Sequence, residues 1–192
     1  MKKHFLLLLL ICSSVFAQKN IDINRLNWLP ESHSFWVNEQ DNIVVYDIDK
    51  LDQKRTVLTK AQLKNAGFDG KVEKLVWNEN KTKVLVYTNS KKVWRANTKG
   101  DYWFFDLGTG KGKQLGGNLE KASLMFAKFS SDNENVAYVS QHNLYVENLN
   151  SGKILSLTTD GTDKVINGTF DWVYEEELAA RDGFRWSPDG KS

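Results

Sequence analysis

Three consecutive glutamates at positions 175–177 are the residues in this sequence whose type and spacing most clearly suggest chemistry. Neighbouring carboxylates repel each other, so a chain keeps them together where a cation or a helix dipole offsets the repulsion. They follow the run Asp-Trp-Val-Tyr, in which Asp171 is a good cap for a helix beginning at Trp172. Gly183 is a plausible residue to end that helix. The sequence therefore predicts a short acidic helix that could bind a compact cation.

Ordinary helix capping is a simpler interpretation of the same residues. Carboxylates in the first turn of a helix are stabilised by its dipole, typically by under ~1 kcal/mol each. On composition alone, this interpretation is favoured over a binding site.

A second candidate is Arg95, which follows Trp94 in an unusually long connection between two predicted strands, from Asn89 to Gly100. Lysines flank this arginine on both sides, so a solvated basic loop is the favoured interpretation when Arg95 is considered alone.

The elements that must position these residues are repeated strands. Four similar short sequence motifs, called phrases below, occur along the chain. They begin at Trp28, Trp77, Phe129 and Trp186, which lie 49, 52 and 57 residues apart. Period-2 alternation after the second and third of these aromatics favours strands over helices. Gly110 and Gly152 fall at the same place in two later turns between strands, where a positive φ would cost little. A unit of about 50 residues with four short strands is typical of a β-propeller blade, whereas a β-sandwich gives no reason for the phrase to recur.

The predicted fold is therefore all-β, a partial β-propeller with the short acidic helix inserted. About three four-stranded blades and the start of a fourth fit into residues 18–192, which we interpret as the N-terminal part of an incomplete propeller domain. An open array would leave strand edges unpaired, so we expect further blades in a longer protein.

The phrase DWVYEEE, followed within a dozen residues by WSP, closely resembles the dipeptidyl peptidase IV family of secreted serine exopeptidases. The resemblance implies a propeller that precedes an α/β-hydrolase domain, which is missing here. It implies that a glutamate pair, and an arginine after a tryptophan, hold the free amino group and backbone of a peptide. The substrate-binding residues are then Glu176, Glu177 and Arg95, supported by Glu175, Trp172 and Tyr174.

The catalytic residues of that family are not expected in this chain. The nucleophile belongs to a G-x-S-x-G turn, which does not occur in the sequence. The resemblance implies release of dipeptides, with Pro or Ala favoured in the second position. The expected partners are peptides with a free N-terminus and the chain's own C-terminal hydrolase domain, and the resemblance also allows a homodimer. No cofactor and no metal site is expected.

Residues 1–17 read as a secretory signal peptide, with two lysines, a short apolar run and small residues before a cut ahead of Gln18. We therefore expect an exported protein, either periplasmic or secreted. A lipoprotein anchored through Cys12 is the less favoured alternative. A net charge of +2 with interspersed signs argues against nucleic acid as a partner.

Three other functions remain open at this stage. A secreted, non-catalytic propeller scaffold would share the WSPDGK phrase but would not need the acidic turn and Arg95 together. Another peptidase of the prolyl oligopeptidase group would share the architecture, although an enzyme for blocked N-termini would not favour converging carboxylates. A homologue that has lost its catalytic serine is the third.

Overall fold

The computed structural model describes residues 26–29 and 32–190 of the chain. The predicted signal peptide and Cys12 lie outside the described residues and stay predictions. Within the described part, none of the helices is long and apolar enough to cross a membrane.

The described residues form short strands and two short helices. In chain order the strands are β1 (Asn27–Trp28), β2 (Ser34–Glu39), β3 (Asn42–Asp47), β4 (Lys50–Leu58), β5 (Lys74–Trp77), β6 (Lys83–Val93), β7 (Ala96–Asp106), β8 (Gly112–Gln114), β9 (Leu124–Phe129), β10 (Asn135–Ser140), β11 (Asn143–Asn148) and β12 (Ile154–Ser156). The helices are α1 (Lys60–Asn65) and α2 (Trp172–Leu178).

The strands form three antiparallel four-stranded meanders, β1–β4, β5–β8 and β9–β12. The second and third meanders join into one sheet because β7 also pairs with β9, through Lys99 with Met125 and Gly100 with Leu124. Three consecutive four-stranded units confirm the predicted blade repeat. After Trp186, which opens the fourth phrase, the described residues form no further strand.

The middle meander is buried on both faces, as a blade between two others must be. Val84 and Val86 of β6 lie in the core shared with the first meander, which includes Trp36. Leu85 and Tyr87, which alternate with them, lie in the core shared with the third meander. A strand has a side-chain period of two, so one strand supplies apolar groups to both cores.

The turns between the outer strands follow the prediction made from glycine. Gly110 and Gly152 adopt φ of 70° and 72°, which a residue without a Cβ does at little cost. Their N–H groups donate to the carbonyls of Asp106 and Asn148, at 2.8 and 2.9 Å. The two corresponding turns therefore close in the same way.

Helix α1 was not predicted, although its sequence carried a signal. Thr59 and Gln62 form a capping box, in which each side chain bonds the other residue's backbone N–H. Leu63 is buried in the first core and anchors the helix between the first two meanders.

Candidate functional site

The connection that carries Arg95 is an ordered two-stranded arm. Strands β6 and β7 continue past the sheet and pair as far as Val93 with Ala96, which leaves Trp94 and Arg95 as the two-residue turn. Trp94 has a φ of 53°, a left-handed conformation that is uncommon for a bulky residue, and its side chain is half exposed. The basic residues around Arg95 therefore lie on a paired hairpin instead of an irregular loop, although Arg95 itself remains exposed.

A buried aspartate fastens the base of this arm to the neighbouring blade. Asp101 accepts a hydrogen bond of 2.8 Å from the Asn89 side-chain amide through one oxygen. Its other oxygen accepts a hydrogen bond of 2.7 Å from the backbone N–H of Ala122, which precedes β9. Both carboxylate oxygens are thus satisfied, and the arm and the next blade share one charged anchor.

Tyr87 and Gly100 hold the two strands of the arm close together. The Tyr87 hydroxyl donates to the carbonyl of Lys99 at 2.9 Å and lies 3.2 Å from that of Asn97. Burial, with a smaller contribution from the charge of Glu73, raises the pKa of Tyr87 to about 12. A Cβ at Gly100 would come within 2.7 Å of the Thr88 carbonyl oxygen and 2.6 Å of the Tyr87 ring. The strands can approach this closely because residue 100 is glycine.

Helix α2 carries the three glutamates, and its start matches the sequence prediction. The Asp171 side chain accepts a hydrogen bond of 3.1 Å from the backbone N–H of Tyr174. The helix ends at Leu178, earlier than Gly183 suggested, because Ala179 adopts a left-handed φ of 52°. The N–H groups of Ala179 and Ala180 then bond back to the Tyr174 carbonyl. The chain therefore reverses at once and returns beside the helix.

The returning chain is paired with the segment that enters the helix. Thr169 and Asp182 form a β-bridge, and the Phe170 N–H donates to the Arg181 carbonyl at 3.1 Å. The Lys128 ammonium, on β9 of the third meander, forms an ion pair with Asp182 and donates to the Phe184 carbonyl at 3.0 Å. The insertion that carries α2 is thereby attached to the third meander at its base.

The arm and the helix meet at Arg95 and Glu176. The guanidinium Nε of Arg95 lies 2.6 Å from Oε1 of Glu176. The glutamate side chain is only 8% exposed, whereas the arginine side chain is 76% exposed. The structure thus brings together two residues that the sequence singled out separately, and it leaves most of the guanidinium accessible.

Glu175 occupies a similar environment on the same helix. Its side chain is 7% exposed, and the Nε atom of Arg181 lies 3.6 Å from its Oε1. That separation makes an ion pair but is too long for a hydrogen bond. Arg181 lies on the returning chain, so each of the two nearly buried carboxylates has its own arginine.

Both carboxylates keep unused hydrogen-bonding capacity. Oε1 of Glu175 and Oε1 of Glu176, the atoms that face the two arginines, are buried, and neither accepts a hydrogen bond of good geometry from the described residues. The ion pairs offset the charges of these carboxylates, but an acceptor without a hydrogen bond can still gain from a ligand with N–H donors. Within the described residues, no group of three or more His, Cys, Asp or Glu side chains is arranged to hold a metal ion. Two neighbouring carboxylates with unused acceptor capacity can bind a cation that carries hydrogen-bond donors.

A comparison with protein families shows the family of the chain. Residues 78–192, which contain the arm, the helix and both arginines, match the family model described as the dipeptidyl peptidase IV (DPP IV) N-terminal region. The chain belongs to the dipeptidyl peptidase IV family. This confirms the resemblance inferred from the DWVYEEE phrase.

Relatives of the family agree with the match. A protein of Phaeosphaeria nodorum named probable dipeptidyl-aminopeptidase B is 38% identical over 110 residues, which cover 57% of this chain and 12% of the relative. The protein of the same name from Aspergillus terreus is 30% identical over 190 residues, covering 86% of this chain and 21% of the relative. The chain therefore spans roughly a fifth or less of the length of these two relatives.

A solved structure shows the same fold. Dipeptidyl peptidase 4 of Porphyromonas gingivalis superposes with a TM-score of 0.73 at 22% identity, over 86% of this chain and 24% of that one. The blades and their order are thus those of a dipeptidyl peptidase IV propeller segment.

The remaining predicted residues lie on exposed parts of helix α2. Glu177 is exposed and forms no ion pair with the described residues. Trp172 and Tyr174 are 49% and 47% exposed, and helix α2 buries none of its residues fully. The Tyr174 ring stacks on Phe170 at 5.3 Å. This aromatic run is therefore about half exposed, and the insertion is attached to the third meander by the contacts at its base.

Arg181 is the residue of this cluster that the sequence interpretation missed. The predicted helix, followed by Gly183 as its expected end, could have indicated that the chain reverses there. A chain that reverses between them must bring a residue of the return back beside the helix, and Arg181 is the basic residue there. The exact partner depends on the left-handed Ala179, which composition does not indicate.

Proposed function

We propose that this chain is the N-terminal substrate-binding part of an exported serine exopeptidase that releases dipeptides from the free N-terminus of peptides. The observation that carries this proposal is the ion pair between Arg95 and Glu176, a nearly buried carboxylate whose Oε1 atom faces the guanidinium but accepts no hydrogen bond of good geometry. Membership of the dipeptidyl peptidase IV family supports the same activity.

The chemistry of an ammonium group explains why carboxylates would bind it. A protonated α-amino group carries three N–H donors, and hydrogen bonds between ionised partners are the stronger class. In the empty site the neighbouring carboxylates repel each other, and an ammonium ion relieves this repulsion. We assign Glu176 and Glu177 as the amine ligands. Glu177 forms no ion pair with the described residues, so it would lose none by binding the substrate.

Arg95 has a second role in this proposal. Its Nε atom is committed to Glu176, but the side chain is largely exposed, so its terminal N–H groups can donate to a backbone carbonyl of the peptide. An amine fixed by carboxylates and a carbonyl fixed by a guanidinium define the direction in which the peptide leaves the site.

An amine held at a fixed position determines how far from the N-terminus the peptide is cut. Two extended residues span roughly 7 Å, so a nucleophile held at a set distance reaches the bond after the second residue. We place that nucleophile in the α/β-hydrolase domain of the complete enzyme. The preference for Pro or Ala in the second position rests on the family resemblance alone.

Comparison of a free with a blocked substrate tests this function. The complete enzyme should cleave a dipeptidyl-anilide with a free amine and should leave the N-acetylated form uncut, because acetylation removes the positive charge and leaves buried carboxylates unpaired. Mass spectrometry of a longer peptide should show release of its first two residues. Equal rates on both anilides, or cleavage away from the second residue, would contradict the proposal.

A further inference from the structure

The family match does not explain why Glu175, next to the proposed amine ligand, is also nearly buried. Its side chain is 7% exposed, and its Oε1 atom accepts no hydrogen bond from the described residues. A buried carboxylate destabilises the folded protein unless a positive charge lies close to it. The ion pair with Arg181 supplies that charge.

The backbone holds Arg181 in place for this contact. The reversal at Ala179 returns the chain along the helix, and the Arg181 carbonyl accepts the Phe170 N–H at 3.1 Å. The next residue, Asp182, forms the β-bridge with Thr169 and the ion pair with Lys128. The position of the guanidinium is thus set by pairing at the base of the insertion.

The two arginines have separate tasks because two adjacent carboxylates need two positive charges. Arg95 lies against Glu176 at 2.6 Å, and Arg181 lies near Glu175 at 3.6 Å. If Arg181 were absent, Glu175 would be a buried charge without compensation. The other guanidinium at this cluster is Arg95, whose exposed side chain can move and would be drawn towards Glu175 at the expense of Glu176.

We infer that Arg181 is a positioning residue for amine binding: by neutralising Glu175, it leaves Arg95 to orient Glu176 for the substrate's ammonium group. The inference rests on the proposed function of Glu176. Arg181 itself contacts neither the substrate nor the reacting bond in this account. It acts through the charge balance of the two neighbouring glutamates.

A double-mutant cycle in the complete enzyme tests this inference. Arg181→Ala should raise KM for a free-amine dipeptidyl-anilide about 5-fold with kcat within about twofold, since it disturbs binding of the amine. Arg181→Lys should restore most of the affinity, because it keeps the positive charge. Glu175→Gln is the second single variant of the cycle, and its own KM is the reference for the double variant.

The decisive variant combines both changes. Glu175→Gln with Arg181→Ala should have a KM within about twofold of Glu175→Gln alone, because the buried charge that competes for Arg95 is absent from both. Arg185→Ala is the matched control: it removes the same charge four residues along, where the guanidinium pairs with Asp182. That control should leave KM unchanged, alone and with Glu175→Gln.

The outcomes separate this inference from the function on which it rests. A purely structural role for Arg181 would lower the unfolding temperature and kcat, and Glu175→Gln would not rescue either, which would overturn the inference. Normal KM in Arg181→Ala would overturn it too, while loss of affinity in Glu176→Gln would still support the proposed function. If Glu176→Gln kept its affinity, the proposed function would fail first.

Discussion

The Nε atom of Arg95, at the tip of an arm from the second blade, lies 2.6 Å from Oε1 of Glu176, on a helix inserted after the third blade. The two residues are distant in sequence. Arg95 lies on the arm and Glu176 on helix α2, and each of these elements is attached to the blades at its base. The proposed site therefore depends on the arm, the helix insertion and the packing of the two blades that carry them.

Removal of the Arg95 guanidinium should weaken substrate binding. In the complete enzyme, we expect Arg95→Ala to raise KM for a free-amine dipeptidyl-anilide about 10-fold, because Glu176 loses its orienting charge and the peptide carbonyl loses a donor. Arg95→Lys should recover only part of the loss, since an ammonium lacks the guanidinium's fork of donors. Lys92→Ala, which removes an exposed charge from the same arm, is the control. Equal KM values for Arg95→Ala and Lys92→Ala would contradict the role of Arg95.

The arm should tolerate no side chain at Gly100. We expect Gly100→Ala to lower the free energy of unfolding by about 1–3 kcal/mol, because the added Cβ would meet the Thr88 carbonyl and the Tyr87 ring. Urea unfolding of the complete protein measures this change. Gly108→Ala is the control, since its nearest atom, Oδ1 of Asp106, would lie 3.4 Å away. If both variants were equally stable, the close approach of the strands would not be a constraint.

Alkaline pH should loosen the arm through Tyr87. Its pKa is about 12 in the folded protein, against an ordinary value of 10.0, so folding favours the neutral phenol. The stabilisation is complete below pH 10 and is lost as the pH rises towards and past 12. The urea midpoint should therefore fall more steeply between pH 10 and 12 in the unchanged protein than in Tyr87→Phe. Parallel curves for the two proteins would contradict this assignment.

The cap at Asp171 should control how often helix α2 opens. Because this helix has no fully buried residue, local hydrogen bonds contribute a large part of its stability. Asp171→Ala should cost about 1 kcal/mol and speed hydrogen exchange at the Tyr174 amide roughly 5-fold. Asp171→Asn is the matched control, since asparagine caps equally well. Exchange that did not distinguish the alanine from the asparagine variant would show that the cap does not hold the helix.

Much of the fold could be predicted from the sequence because its signals are local. The recurrent aromatic phrases and the alternation at Val84–Tyr87 indicated strands, and Gly110 and Gly152 marked the turns. Helix α1 could also have been predicted, since Thr59 and Gln62 form a capping box within four residues.

The environment of the site was less predictable because it depends on contacts between distant segments. The acidic phrase indicated a binding helix, but not that Glu175 and Glu176 are nearly buried while Glu177 is exposed. Nor does an aromatic run reveal that Trp172 stays exposed, since burial depends on which element packs against it.

The KM of Glu176→Gln tests the central claim most directly. This change keeps the size of the side chain and removes its charge, so the ammonium group loses its strongest partner. We predict at least a ~10-fold rise in KM for a free-amine dipeptidyl-anilide, equivalent to ~1.4 kcal/mol, in the complete enzyme. The control is Glu134→Gln, at an exposed turn of the third blade, which should leave KM unchanged. An unchanged KM in Glu176→Gln would contradict the account.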